Sequence, residues 1–244
     1  MSPIFFSKAS TLSNVSMKSL AVHIGSQLLE LSPYRSAYKK IAEMTRYLRS
    51  TGHEISHMDL GGGLGIPYSD ESLADLNAYN QIILETVGDL NCKLSIEPGR
   101  YLVGEAGILI TRVIYIKQGE QKKFVIVDGA MNDLIRPTLY DGFHAIVPVT
   151  EKNLSSQKSL CDVVGPICES GDYFAKDRML PEVSQNDLLA ITCSGAYGAV
   201  MASNYNSRPL ISEVLVSNDV FSVIRERQTF EKIIQDEKLA AWLQ

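Results

Sequence analysis

Apolar positions in the first hundred residues fall into two alternating periods. Met17 to Ile24 reads as a strand closed by Gly25. Ser32 and Pro33 then supply an expected N-cap and a proline at the first helical position. Tyr34, Ala37, Tyr38, Ile41, Met44 and Leu48 recur at helical spacing until Gly52 stops the run. Ile55 to Leu60 is a second strand, running into Gly61-Gly62-Gly63-Leu64-Gly65. A second helix is expected over about Glu71 to Val87, with Leu73, Leu76, Tyr79, Ile83 and Leu84 on one side. Lys93 to Ile96 is the third strand, leading into Glu97-Pro98-Gly99-Arg100. The strand ends at His23, Gly61 and Glu97 are separated by 38 and 36 residues. That near-constant period marks successive βα units of a parallel sheet or barrel.

After about Ala106 the texture changes. Ile108–Ile116, Phe124–Val127, Ala145–Val149, Leu188–Thr192 and Ile211–Val216 are β-rich runs separated by Gly, Pro, Asn and Asp. They predict a mainly antiparallel β domain over residues 106–244, closed by an amphipathic helix from about Thr229 to Leu243. Residues 1–105 hold only about three βα units, whereas a complete (β/α)8 barrel takes roughly 250 residues. The βα region is therefore either an open sheet or the back end of something larger.

Composition narrows the partners. Lys and Arg number 23 against 28 Asp and Glu, a net charge of -5 with no basic cluster. Nucleic acid and anionic membrane surfaces are poor partners for such a chain. No apolar stretch reaches the roughly 18 residues of a membrane span. The start, Met1 to Ser7, lacks the basic and long apolar regions of a signal peptide. Four cysteines (Cys92, Cys161, Cys168 and Cys193) show no paired spacing, so neither a disulfide framework nor a zinc ribbon is expected. A reducing cytoplasm fits this usage.

His53-Glu54-Ile55-Ser56-His57 fits the H-E-x-x-H pattern of zinc proteases. That chemistry needs both histidines on one helix face. Here Gly52 has just ended a helix and a strand begins, so surface loop residues and no metal are expected. Gly61 to Gly65 follows a strand, where bare backbone N–H groups can cup a phosphate. It is neither a Walker loop nor G-x-G-x-x-G, and a tight structural turn explains it equally well. Glu97 and Arg100 place a carboxylate and a guanidinium at the next strand end, and His23 and Ser26 add an imidazole and a hydroxyl at the first. Three consecutive strand ends bearing such groups make a site, because barrel sites gather there. In the β domain, Gly165-Pro166-Ile167-Cys168-Glu169-Ser170-Gly171-Asp172 surrounds a thiol with polar residues and reads as exposed. Gly195-Ala196-Tyr197-Gly198 presents one phenol on a small-residue loop.

HIGSQ at 23–27, GGGLG at 61–65, EPGR at 97–100, RPTLYDGFH at 136–144, GPICESGD at 165–172 and GAYG at 195–198 occur in this order. Together they resemble the alanine-racemase-fold, pyridoxal-phosphate-dependent decarboxylases, among these the members acting on diaminopimelate. The resemblance runs from about Ser7 to the C-terminus. It implies a pyridoxal phosphate cofactor, decarboxylation of meso-diaminopimelate to L-lysine, and a homodimer with sites shared across its interface. Gly61, Gly62, Gly63, Ser26 and Arg100 would surround the cofactor phosphate. Glu97 would hold the pyridine nitrogen protonated, His23 would stack on the ring, and Tyr197 would contact the cofactor and substrate. Arg100, Arg136 and Tyr140 would bind the distal carboxylate of the substrate. Cys168 would lie near the reacting carbon and Glu169 would select the distal ammonium, both reaching the site of the partner subunit.

One departure limits the transfer. The family's cofactor-bearing lysine sits in a Tyr-Ala-x-Lys-Ala type motif, and none of the thirteen lysines here has that context. The match begins at about the sixth barrel strand, so the chain is expected to be a C-terminal portion with most of the barrel absent. The resemblance therefore leaves three readings. One is a part of a diaminopimelate-specific enzyme, and the second is a non-catalytic, dimerising fragment. The third, a related ornithine or arginine-type decarboxylase, is opposed by Arg136, Tyr140 and Glu169, because ornithine has no distal carboxylate.

Overall fold

The computed structural model describes residues 3–154 and 156–243. The chain divides into two compact units, residues 1–105 and 106–244.

The first unit is built on three parallel strands in the order β1 (Ser19–Ala21), β2 (His57–Gly62) and β3 (Lys93–Glu97). Ser19 pairs with His57 and His57 with Lys93, so the strands start level and their ends fall together at one edge. Helix α1 (Pro3–Ala9), unanticipated from the sequence, buries Phe6 against the ring of His53. Helix α2 (Ser32–Ser50) buries Tyr34, Ala37, Tyr38, Ile41 and Leu48 as the spacing requires, with Met44 at the margin. Ser32 does not cap it. Leu31 occupies that position without a side-chain bond, and Ser32 is already helical. Its end is a Schellman turn: Gly52, at φ +87°, donates to the Arg49 carbonyl and His53 donates to that of Leu48.

Helix α3 spans Leu76–Val87 rather than starting at Glu71. Asp75 caps it, its carboxylate accepting the N–H groups of Asn77 and Ala78. The Glu71 carboxylate folds back onto the N–H groups of Tyr68 and Ser69, which holds that segment out of the helix. The buried face is Tyr79, Ile82, Thr86 and Val87, while Leu73, Leu76 and Leu84 are exposed, one register away from the expected stripe. A short helix α4 (Gly99–Val103) follows β3.

The second unit holds a six-stranded sheet in the order β6-β9-β4-β5-β7-β8. Its strands are β4 (Leu109–Gln118), β5 (Lys123–Val127), β6 (Ile146–Pro148), β7 (Lys158–Val164), β8 (Tyr173–Pro181) and β9 (Leu188–Ile191). All neighbours are antiparallel except β5 and β7. Short helices α5 (Arg136–Tyr140) and α6 (Glu151–Leu154) flank β6. A separate hairpin pairs β10 (Glu213–Ser217) with β11 (Val220–Arg225). The core is aliphatic, with Val113, Val125, Val127, Val163, Leu189 and Ile191 fully enclosed around Phe174.

The terminal helix is far shorter than its sequence pattern predicts. Only α7 (Phe230–Ile234) forms, capped by Thr229, followed by a single 3₁₀ turn at Ala241–Leu243. Phe230, Ile234, Leu239 and Trp242 are all exposed. A helix of the expected length draws its stability from packing of its apolar face, and these four residues of that face remain exposed.

Candidate active site

In the first unit the strand ends bring His23, Ser26, Gly61, Gly62, Gly63, Glu97 and Arg100 to one edge. The glycines are required by close backbone approach. A Cβ on Gly61 would overlap the Val22 carbonyl, on Gly62 the Glu97 carbonyl, and on Gly63 the Gly25 carbonyl. Gly61 and Gly63 also adopt φ +71° and +97°, where side chains are strained. Two of the turn's N–H groups are engaged within the chain. Gly61 donates to the Asp59 carboxylate at 2.8 Å and Gly62 to His23 Nδ1 at 3.2 Å. Because an N–H can only donate, His23 Nδ1 must carry the lone pair, which puts the proton of the neutral ring on Nε2. Arg100 lies beside this turn, with Nη2 3.2 Å from Ser26 Oγ and Nη1 bonded to the Tyr68 hydroxyl. Glu97 is exposed at the end of β3.

His57 opens β2 on its exposed face and His53 packs on Phe6, so the two histidines lie in different settings. Among the described residues no group of three or more His, Cys, Asp or Glu could hold a metal ion.

In the second unit, two of the motifs meet. The loop 165–172 is organised around Asp172, only 4% exposed, whose carboxylate accepts the N–H of Met131 at 2.7 Å and of Ile167 at 2.6 Å. Burial pushes this carboxyl above the ordinary carboxylate range, and the two N–H donors and the nearby Arg208 pull it back. Gly165 sits so close that any Cβ would overlap the carboxylate. Thr138 of α5 donates to the Gly171 carbonyl, tying the two motifs together. The loop thus holds Cys168 and Glu169 on the surface. Cys168 is exposed, and Glu169 is braced by Gly171 N–H at 3.2 Å and the Tyr205 hydroxyl at 3.4 Å.

Arg136 is 8% exposed, with Nη1 2.7 Å from His144 Nε2. His144 is wholly buried, and its Nδ1 lies 2.8 Å from the Thr192 carbonyl. The carbonyl accepts only, so Nδ1 bears the proton and Nε2 accepts from the guanidinium. Tyr140, at the end of the same helix, is 61% exposed. Tyr197 is half-exposed in a left-handed conformation at φ +58°. A further buried cluster, in which Arg208 spans Asn132, the Asp128 carbonyl and Asp133, escaped the sequence reading. Asp133 is raised by burial. The signal available was a polar run, Asn132-Asp133, within an otherwise apolar segment.

The chain thus combines a parallel α/β unit that carries a glycine turn, a guanidinium and a carboxylate at adjacent strand ends with a sheet unit that carries a braced cysteine loop. The model of the pyridoxal-dependent decarboxylase C-terminal sheet domain matches residues 15–195. The chain belongs to that family. It is 45% identical over 240 residues to diaminopimelate decarboxylase of Zymomonas mobilis, covering 98% of this chain and 56% of that protein. It is 47% identical over 224 residues to the one from Neisseria meningitidis serogroup A, covering 92% and 54%. The crystal structure of diaminopimelate decarboxylase from Helicobacter pylori complexed with L-lysine superimposes with a TM-score of 0.90 at 43% identity, over 96% of this chain and 58% of that one. The chain therefore spans about half the length of the relatives it matches. No described helix is long and apolar enough to cross a membrane.

Proposed function

We propose that this chain forms the C-terminal portion of a pyridoxal-phosphate-dependent enzyme that decarboxylates meso-diaminopimelate to L-lysine and CO2. On this reading the first unit is a segment of an alanine-racemase-like (β/α)8 barrel. The observation that carries the proposal is the level register of β1, β2 and β3, which gathers His23, the glycine turn and Glu97 at one edge.

The donor set suits a phosphorylated pyridine. Ser26 and Arg100 lie within 3.2 Å of one another beside a turn of three close-packed glycines, a fit for a dianionic phosphate. When bound, pyridoxal phosphate supplies the electron sink for loss of CO2. Glu97 would hold a proton at the pyridine nitrogen, and His23 would cover one ring face. By the family resemblance, Arg136, pre-oriented by His144, would bind the distal carboxylate, as would Arg100 and Tyr140, and Tyr197 would contact cofactor and substrate. Glu169 meets the distal ammonium. The reaction the site would support exchanges the carboxylate on the substrate's α-carbon, lost as CO2, for a proton. Cys168 is the group suited to hold a proton at that carbon. Cys168 and Glu169 act on the site of a second subunit, in a cytoplasmic homodimer.

A second reading, a chain without catalysis of its own, draws on one observation: the C-terminal ends of β1, β2 and β3, where His23, the glycine turn and Glu97 gather, carry no lysine. Both readings meet one experiment. The chain is mixed with a full-length relative whose own cysteine and glutamate at the positions of Cys168 and Glu169 are replaced, with pyridoxal phosphate and meso-diaminopimelate. CO2 release that rises with added chain, and is lost with Cys168→Ala, supports the first reading. Heterodimers that form by native mass spectrometry but release no CO2 defeat it.

A further inference from the structure

Tyr34 and Tyr38 stand one turn apart on α2, both fully buried, and both reach across to β2. The Tyr34 hydroxyl donates to the Gly62 carbonyl at 3.2 Å and the Tyr38 hydroxyl to the Leu60 carbonyl at 3.2 Å. Tyr79 of α3 completes the group, its hydroxyl 2.7 Å from that of Tyr38. The single proton of Tyr38 goes to a carbonyl that cannot donate, so Tyr79 is the donor between the two phenols. Burial lifts all three phenols above their ordinary range, Tyr34 to about 12, so they remain donors at physiological pH.

These carbonyls need partners because of a break in the ladder. Asp59 pairs with Ser95 and Gly62 with Glu97, three steps on β2 against two on β3. The extra residue is a bulge, and it takes backbone groups at Leu60 and Gly61 out of register. A trans peptide sends its C=O and the following N–H in opposite directions. Fixing the Leu60 and Gly62 carbonyls on the α2 side therefore turns the Gly61 and Gly63 N–H groups away from α2. The neighbouring groups agree: Gly61 N–H meets Asp59, Gly62 N–H meets His23, and the Gly63 carbonyl accepts from Leu28 at 2.9 Å.

We propose that Tyr34 and Tyr38 are positioning residues of the glycine turn, setting its peptide planes from the helix side so that the Gly63 N–H is presented to an anion. The anion rests on the phosphate placement made above, but the peptide orientation does not. The competing role is plain core filling, and Tyr79 separates the two. It belongs to the same ring cluster, 5.3 Å from Tyr34 edge-to-face, yet it bonds to no carbonyl of the turn.

The test uses the full 244-residue chain, labelled with ¹⁵N, as wild type, Tyr34→Phe and Tyr79→Phe. Phenylalanine keeps the ring, so ring-current effects largely cancel. Tyr34→Phe should displace the Gly63 and Leu64 amide resonances well beyond any others in β2. It should also weaken pyridoxal phosphate binding, followed at the same amides, by about tenfold, the loss of one hydrogen bond's worth. Tyr79→Phe should lower the melting temperature at least as much, with the Gly63 amide in place and affinity within about twofold. Equal effects of the two variants, or a Gly63 amide unmoved by Tyr34→Phe, overturn the proposal. A wild-type chain that binds no pyridoxal phosphate removes the phosphate placement, and the Gly63 amide then decides the positioning role by itself.

Discussion

Replacing Asp172 by alanine removes the one acceptor shared by the Met131 and Ile167 N–H groups. Each donor is held at 2.6–2.7 Å, and each left unpaired in a buried setting costs about 1–3 kcal/mol. The loss is offset in part, because the carboxylate is itself ionised at a desolvation cost, as its raised pKa records. The net expectation for Asp172→Ala is a loss of about 2–4 kcal/mol in the second unit. Cys161 is buried in that unit's core, so its labelling by a thiol reagent across a urea series reports the unfolding of this unit specifically. Asp172→Asn keeps one acceptor oxygen and should lose about half as much.

The two variants also differ in pH dependence. A carboxyl raised in the folded state binds its proton more tightly there than in the unfolded chain. It therefore adds stability that is complete below the ordinary carboxylate range and lost as pH rises through the folded pKa. The Asp172 contribution should fall away across that window and Asp172→Asn should remove it from the slope, leaving the like-signed contribution of Asp133, raised for the same reason, and the opposite one of Glu71, Glu85 and Glu231, whose carboxyls are lowered by hydrogen bonds. A loss below about 0.5 kcal/mol for Asp172→Ala, or an unchanged pH slope in Asp172→Asn, would refute the account of Asp172 as the anchor of the Cys168 loop.

Three further outcomes follow from the same geometry. Gly62→Ala should cost about 1–3 kcal/mol because its Cβ overlaps the Glu97 carbonyl, whereas Gly99→Ala, with open space around it, should be within about 0.5 kcal/mol of wild type by thermal denaturation. Hydrogen exchange should run faster in β3, every residue of which is exposed, than in β4 and β9 of the six-stranded sheet; equal protection would count against the exposure argument. Cys168 should react first with a disulfide reagent at mildly alkaline pH, and Cys168→Ser should abolish that fast phase, since Cys161 is buried with its thiol pKa raised by burial.

The gathering of polar residues at the strand ends was legible because they interrupt apolar runs at a constant interval. His23, the glycines and Glu97 stand out for that reason, and α2 stands out through its apolar spacing. What escaped depends on groups distant in sequence. Strands β7 and β8 read poorly because charges sit inside them. Asp162 is buried in β7 only because Lys122 and the Asp177 N–H reach it. Tyr34 and Tyr38 are indistinguishable in sequence from ordinary core residues, although a buried phenol always requires a partner for its hydroxyl. The terminal segment failed in the other direction. Its periodicity is that of an amphipathic helix, but periodicity states what a helix would bury and supplies nothing to bury it against.

The same distinction bears on the first unit. Parallel sheets are ordinarily covered on both faces, with each strand buried. Here β3 presents Leu94 and Ile96 to solvent, and Val22 and Ile24, just past β1, line an open apolar hollow with Ala37, Ile41 and Met44 of α2. An isolated three-stranded sheet would gain nothing from apolar residues at such positions, whereas a barrel segment needs them. One face of its strands packs the barrel interior and both outer edges pair with further strands. The proposed barrel thus accounts for features that the parallel sheet alone leaves unexplained. With β2 flanked on both sides at backbone contact distance, only glycine at positions 61 to 63 lets the three strand ends converge this closely.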